Sequence, residues 1–246
     1  MVGDVRQNIY TKQNKDNKMI KKGFTLAEVL ITLAIIGVIA AISVPSLIQK
    51  TNQAELITAW KKEFATISQA ANKYAFESGT IPNYTTGNKY ITAFQNYVKY
   101  IKTCDSTALD GVCWHNANEW YKLNGAAYSS SFNSNTEWGA AIANDGSMWA
   151  FQSGTGSCAA SPTNYNDVSQ RCAGVSIDVN GFKKPNTVGK DIFRVMLFAD
   201  GTVTPISSDT VSTGTTKINA ACDSTTIDTY SEYGWGCSSE YLYKSK

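Results

Sequence analysis

Lys21-Lys22-Gly23-Phe24-Thr25-Leu26-Ala27-Glu28-Val29-Leu30-Ile31 opens the stretch that decides the fold, and residues 24–44 continue it as FTLAEVLITLAIIGVIAAISV. These 21 residues carry one charge, Glu28. As a helix rising 1.5 Å per residue they would cover ~31 Å, the thickness of a bilayer core. Lysines crowd the upstream side, so the positive-inside rule predicts a cytoplasmic N-terminus with everything beyond Pro45 outside. A secretory signal peptide would have a shorter apolar core and a small-residue cleavage site after it. Here the only processing point, Lys21-Lys22-Gly23, comes before the apolar run. A carboxylate so deep in an apolar helix costs roughly 2.5–3.5 kcal/mol on insertion scales, so Glu28 calls for a partner. Its ordinary reading is an acid near a helix start, favoured by the macrodipole and snorkelling to the headgroups.

The order of these residues (basic pair, Gly23, Phe24, then Glu28 and a long apolar helix) resembles the prepilin N-terminal cleavage and methylation motif of the type IV pilin and type II secretion pseudopilin family. The resemblance implies cleavage between Gly23 and Phe24 by a membrane-embedded prepilin peptidase, which also methylates the new amine on Phe24. It further implies filament assembly in which Glu28 of an incoming subunit pairs with the amino terminus of Phe24 on its neighbour. Pro45 matches a proline common in the family, and inside a helix it removes one hydrogen bond and kinks the axis. Such leaders are short, whereas 23 residues precede this cut; Met19 to Gly23 would make an ordinary one, so residues 1–18 are read as disorder or an upstream misassigned start.

Working outward, Ile57, Trp60, Phe64, Ile67, Ala71 and Tyr74 recur at helical spacing, with Lys61, Lys62, Glu63, Gln69 and Asn72 filling the polar side. Gly79 and Pro82 end the helix. A second helical pattern covers 88–102, with Ile91, Phe94, Val98 and Ile101 on one face. Strands are predicted at 147–151, 175–179 and 192–198, the last turning through Asp200-Gly201 into Val203. The expected class is α+β: a long N-terminal helix, transmembrane in its first half, packed on a small antiparallel sheet with stapled loops. The expected segments are a leader over 1–23, an assembly helix over 24–44, an amphipathic half over 45–79 and a globular head over 80–246. Residues 207–246, with Thr and Ser tracts, read as a stapled surface extension.

Net charge argues against a nucleic-acid-binding body: 22 basic against 20 acidic residues, with the basic excess confined to the leader. All six cysteines lie beyond residue 100 (Cys104, Cys113, Cys158, Cys172, Cys222 and Cys237), which suits disulfides in an oxidising compartment. Six cysteines allow 15 pairings. The spacing favours neighbours, 104/113, 158/172 and 222/237. Zinc is the rival, but there is no CxxC and only His115 as a nitrogen ligand.

Catalysis finds no support, since His115 stands alone, read as a surface or loop residue, and no nucleophile elbow, phosphate-binding glycine loop or HExxH is present. Asp178-Val179-Asn180-Gly181 with Lys184-Pro185-Asn186, Gly189, Asp191 and Phe193 resembles a stretch of pseudopilin-like proteins. Asp178, Asn180 and Asp191 are oxygen donors suited to calcium, against the plainer reading of Asn-Gly as a turn. Otherwise no cofactor is expected. Trp114, Trp120, Trp138 and Trp235 fall outside the predicted strands. If exposed they would suit an adhesive minor tip pilin that binds a surface, sugar or DNA; if buried, a plain structural subunit. The expected partners are a prepilin peptidase, like and unlike pilin subunits, an inner-membrane assembly platform and the membrane, with no nucleic acid. The expected location is the bacterial inner membrane, single-pass, then a periplasmic or extracellular filament.

Overall fold

The computed structural model describes residues 23–133, 135–154, 156–212, 216–217, 222 and 234–243. The leader and the Met19 start therefore lie outside the described residues, apart from Gly23. The chain divides into two compact units, the first ending at Ile48 and the second beginning at Gln49. Helix α1 (Leu26–Ser78) supplies the described helix of the first unit and the opening element of the second. Pro45 lies inside it. Within the first unit every Leu, Ile and Val from Leu26 to Ile48 is exposed. Each such side chain forgoes roughly 1.5–3 kcal/mol that burial would supply, so this surface is built for a non-aqueous neighbour.

In the second unit, α1 buries Trp60, Glu63, Ile67, Ala70, Ala71 and Ala75. The predicted apolar stripe is there, with Glu63 inside it rather than on the polar side. Beside it lie α2 (Gly87–Phe94) and a six-stranded sheet: β1 (Tyr100–Cys104), β2 (Trp138–Ala143), β3 (Met148–Gln152), β4 (Ala173–Asp178), β5 (Ile192–Leu197) and β6 (Val203–Pro205). The strands run in sequence order, each antiparallel to the next. Alternation along the strands sends Trp149, Phe151, Val175, Ile177, Phe193 and Val195 into one core with α1 and α2. The intervening Ala140, Met148, Ala150, Ile192 and Met196 enter a second core with Trp114, Trp120, Phe132 and Trp235. Both faces of the sheet are covered, so β4 is buried along its whole length.

The helix expected over 88–102 stops at Phe94. From Tyr100 the chain pairs with β2, and the β-favouring Tyr-Ile pair follows the sheet instead of the helical period. The register slips between Tyr100 and Lys102, and the displaced Ile101 is 68% exposed. β1 and β6 are the sheet's edges, and β6 carries Pro205, which has no N–H to offer. Beyond the sheet, β7 (Val211–Ser212) pairs with β8 (Thr216–Lys217). Helix α3 (Cys237–Tyr243) returns to the core, correcting the reading of 207–246 as surface only. Trp60 Nε1 donates to the Ser238 carbonyl at 2.9 Å, and Ser238 Oγ accepts from the Arg194 amide at 2.9 Å.

Disulfides join Cys104 to Cys113, Cys158 to Cys172 and Cys222 to Cys237. The second closes a loop of sequence separation 14, which constrains the unfolded chain by about 3 kcal/mol. Replacing both Cys158 and Cys172 by alanine is expected to lower the unfolding free energy by about that amount, read from urea denaturation of the detergent-solubilised chain.

Candidate functional site

At the start of α1, Thr25 and Glu28 bond reciprocally. The Thr25 amide donates to Glu28 Oε2 at 2.8 Å and the Thr25 hydroxyl to the same oxygen at 2.9 Å. In return Thr25 Oγ1 accepts from the Glu28 amide at 3.2 Å. This is a capping box, which satisfies helix N–H groups that have no intrahelical partner. Ahead of it Gly23 and Phe24 stand exposed, Phe24 by 88%. A Cβ at Gly23 would meet nothing within 4 Å among the described residues. Behind it runs a helix long and apolar enough to cross a membrane by length and composition, its apolar first part unburied.

Residues 18–44 match the family model described as the prokaryotic N-terminal methylation motif. The chain carries a prepilin-type methylation motif. That motif supports a type IV pilin-like or pseudopilin subunit, and with it a structural protein. No curated protein and no solved structure matches the chain.

In the head, the residues weighed for calcium turn on one another. Asp178 Oδ2 meets His115 Nε2 at 2.8 Å, and its Oδ1 accepts from the Asn180 amide at 3.1 Å. Asp191 Oδ1 accepts from the Thr187 amide at 2.6 Å and Oδ2 from the Asn186 amide at 2.7 Å. Each carboxylate oxygen of Asp178 and Asp191 thus has a protein partner, while the buried Oδ1 of Asn180 has none among the described residues. No group of three His, Cys, Asp or Glu among the described residues is placed for a metal. Asp178 and Asp191 tie the turn after β4 to the segment before β2. The Tyr121 amide completes the knot by donating to the Asn186 carbonyl at 2.8 Å.

His115 lies in a loop, one of the two readings its sequence allowed, but it is buried there and not at the surface. Burial pushes its imidazole down to about 4, against the pull of Asp191 and Glu119. Burial likewise pushes Asp178 well above the usual carboxylate range, and Asp191 up to about 7 with help from the Asp178 charge. Both partners of the His115–Asp178 contact thus favour their neutral forms, with one proton between Nε2 and Oδ2. An imidazole 1% exposed has no access to a substrate.

Trp114, Trp120, Trp138 and Trp235 are buried too, at 0%, 1%, 8% and 8% exposure. Phe132 stacks on Trp138 at 3.7 Å between centroids, and Tyr128 on Trp120 at 3.8 Å. The guanidinium of Arg194 lies 5.6 Å from the rings of both Trp138 and Trp235. These aromatics build the second core and do not form an open stacking platform.

Sequence reasoning missed Glu63. Among the residues that read as the polar side of α1, it alone is buried, at 3% exposure. Its position three residues after Trp60 and four before Ile67 was the available signal.

Proposed function

We propose that the chain is a structural subunit of a type IV pilus-like filament or a type II secretion pseudopilus. Residues 1–23 serve as leader, 24–44 as the membrane and assembly helix, 45–79 as its amphipathic half and 80–246 as the exterior head. A prepilin peptidase cuts after Gly23 and methylates the amine of Phe24. The subunit waits in the inner membrane with its N-terminus inside, then joins a filament with other pilin subunits through an assembly platform. One observation carries this reading: the methylation motif leads directly into a helix whose Leu, Ile and Val side chains stay exposed as far as Ile48. Such a surface suits lipid before assembly and neighbouring helices after it. The tip-adhesin reading draws no support from the tryptophans, because all four are in the core.

Co-expression with a prepilin peptidase tests it. Intact mass and N-terminal sequencing are expected to give a mature chain beginning at methylated Phe24, while Gly23→Leu stays uncut. Wild-type protein left uncut beside a processed control prepilin would refute the proposal.

A further inference from the structure

Glu63 meets the turn between β2 and β3 in a cluster whose hydrogen atoms can be counted. Its Oε2 lies 3.2 Å from Ser147 Oγ and 3.1 Å from Trp149 Nε1. Ser147 Oγ is also 2.9 Å from Asp145 Oδ1 and 3.1 Å from Trp149 Nε1. Those four contacts share two protons, one on the Ser147 hydroxyl and one on the indole. A third proton, on the Glu63 carboxyl, lets Ser147 donate to Asp145 while Glu63 donates into the cluster. Lys62 closes it from the solvent side, bonding Asp145 and lying 3.6 Å from Glu63 Oε1. With that proton present, Lys62 and Asp145 cancel and the buried side is neutral. Without it, two carboxylates face each other across a seam where Glu63 has almost no water.

We propose that Glu63 and Asp145 hold one proton between them, making the joint of α1 with the β2–β3 turn a pH-sensitive clamp, closed in a mildly acidic medium and loosened in an alkaline one. The titration pattern agrees with the geometry. Glu63 is pushed up to about 7, first by burial and then by its hydrogen bond and charge contact with Asp145. Burial pushes Asp145 up as well, but its bonds with Glu63, Lys62 and Ser147 outweigh that and hold it below the usual range. Other titratable groups on or beside the elements packed there include Lys61 on α1, Lys99 just before β1, Tyr100 at its start and Asp178 at the end of β4.

A carboxyl raised above its unfolded value of 4.5 stabilises the fold below that value. The contribution fades as pH climbs through about 7. The depressed Asp145 acts oppositely, contributing above its ordinary 3.8 and failing only in stronger acid. The clamp therefore weakens between pH 4.5 and 7, by on the order of a hundredfold in the folding equilibrium.

The test is urea unfolding of the full chain in detergent, followed by tryptophan fluorescence at pH 5 and pH 8. Wild type is expected to lose on the order of several thousandfold in the equilibrium constant over that interval, about a hundredfold through Glu63 and a similar factor through Asp191. Glu63→Gln, which keeps an N–H donor without a charge, is expected to lose about a hundredfold less than wild type. The remainder belongs to Asp191, which titrates in the same direction. A Glu63→Gln chain with the full wild-type pH dependence would overturn the clamp. Should that variant not fold, carboxyl NMR of wild type decides: a Glu63 midpoint below about 5.5 overturns the proposal and one near 7 upholds it.

Discussion

Glu28→Ala is expected to be cleaved like wild type yet to enter filaments at least a hundredfold less efficiently, read as assembled against membrane-retained subunit. The size separates two roles for the same carboxylate. As a helix cap, Glu28 shares Oε2 with the Thr25 amide and hydroxyl, and losing a cap costs about 1 kcal/mol, less than tenfold. As the partner of a neighbour's Phe24 amine inside a bilayer or filament core, it leaves an unpaired charge when removed. That costs about 3–5 kcal/mol, some hundredfold to thousandfold. Glu28→Gln sharpens the distinction, since its amide oxygen still accepts from Thr25 while the charge is gone. Assembly of Glu28→Gln at wild-type levels would reduce Glu28 to a cap. Failure of both variants, with cleavage intact, is the expected result.

The second large effect concerns packing. Gly139 in β2 and Gly87 at the start of α2 lie backbone to backbone. A Cβ on Gly139 would stand 2.5 Å from the Asn88 amide nitrogen and 2.8 Å from the Gly87 carbonyl carbon. One on Gly87 would stand 2.3 Å from the Gly139 nitrogen. Neither side gives way easily: β2 is bonded to β1 and β3, and the Gly87 amide donates to the Thr136 carbonyl at 3.3 Å. Ordinary overpacking costs about 1–3 kcal/mol, and backbone on both sides puts Gly139→Ala at or above the top of that range. Gly125→Ala is the comparison. It has open space and only a positive φ of 88° to strain, at a cost of about 1–2 kcal/mol. Urea midpoints of the two variants are expected to differ clearly, and a Gly139→Ala protein as stable as wild type would show that α2 can leave the sheet freely.

Legibility followed the range of the interactions involved. The apolar run at 24–44 and the stripe from Ile57 to Tyr74 were readable because helical burial repeats within the chain's own period. Met148–Gln152 and Ile192–Leu197 were readable because a turn dipeptide marks one end of each strand. Trp138–Ala143 was not, since Gly139 and three alanines carry no strand signal and make sense only against Gly87 and the neighbouring strands. Ile101 continued a helical spacing that pairing with β2 overrode. His115 and the tryptophans looked peripheral because nothing local says that the segment before β2 lies across the far face of the sheet. Glu63 was misplaced for the complementary reason: a charge was assumed to point at water, whereas Ser147 and Trp149, more than eighty residues away, supply its bonds.

The two margins of the sheet bear on the geometry of growth. A protein proposed to polymerise through one helix must add subunits along a single line, and any second self-complementary surface would branch that line into a network. Unpaired strand margins are one such surface. Here one margin is broken by the slipped register at Ile101 with Lys102 beside it, and the other ends in Pro205. On the proposed function growth would then fall to the helix, and a single line of growth is what separates a fibre from an aggregate.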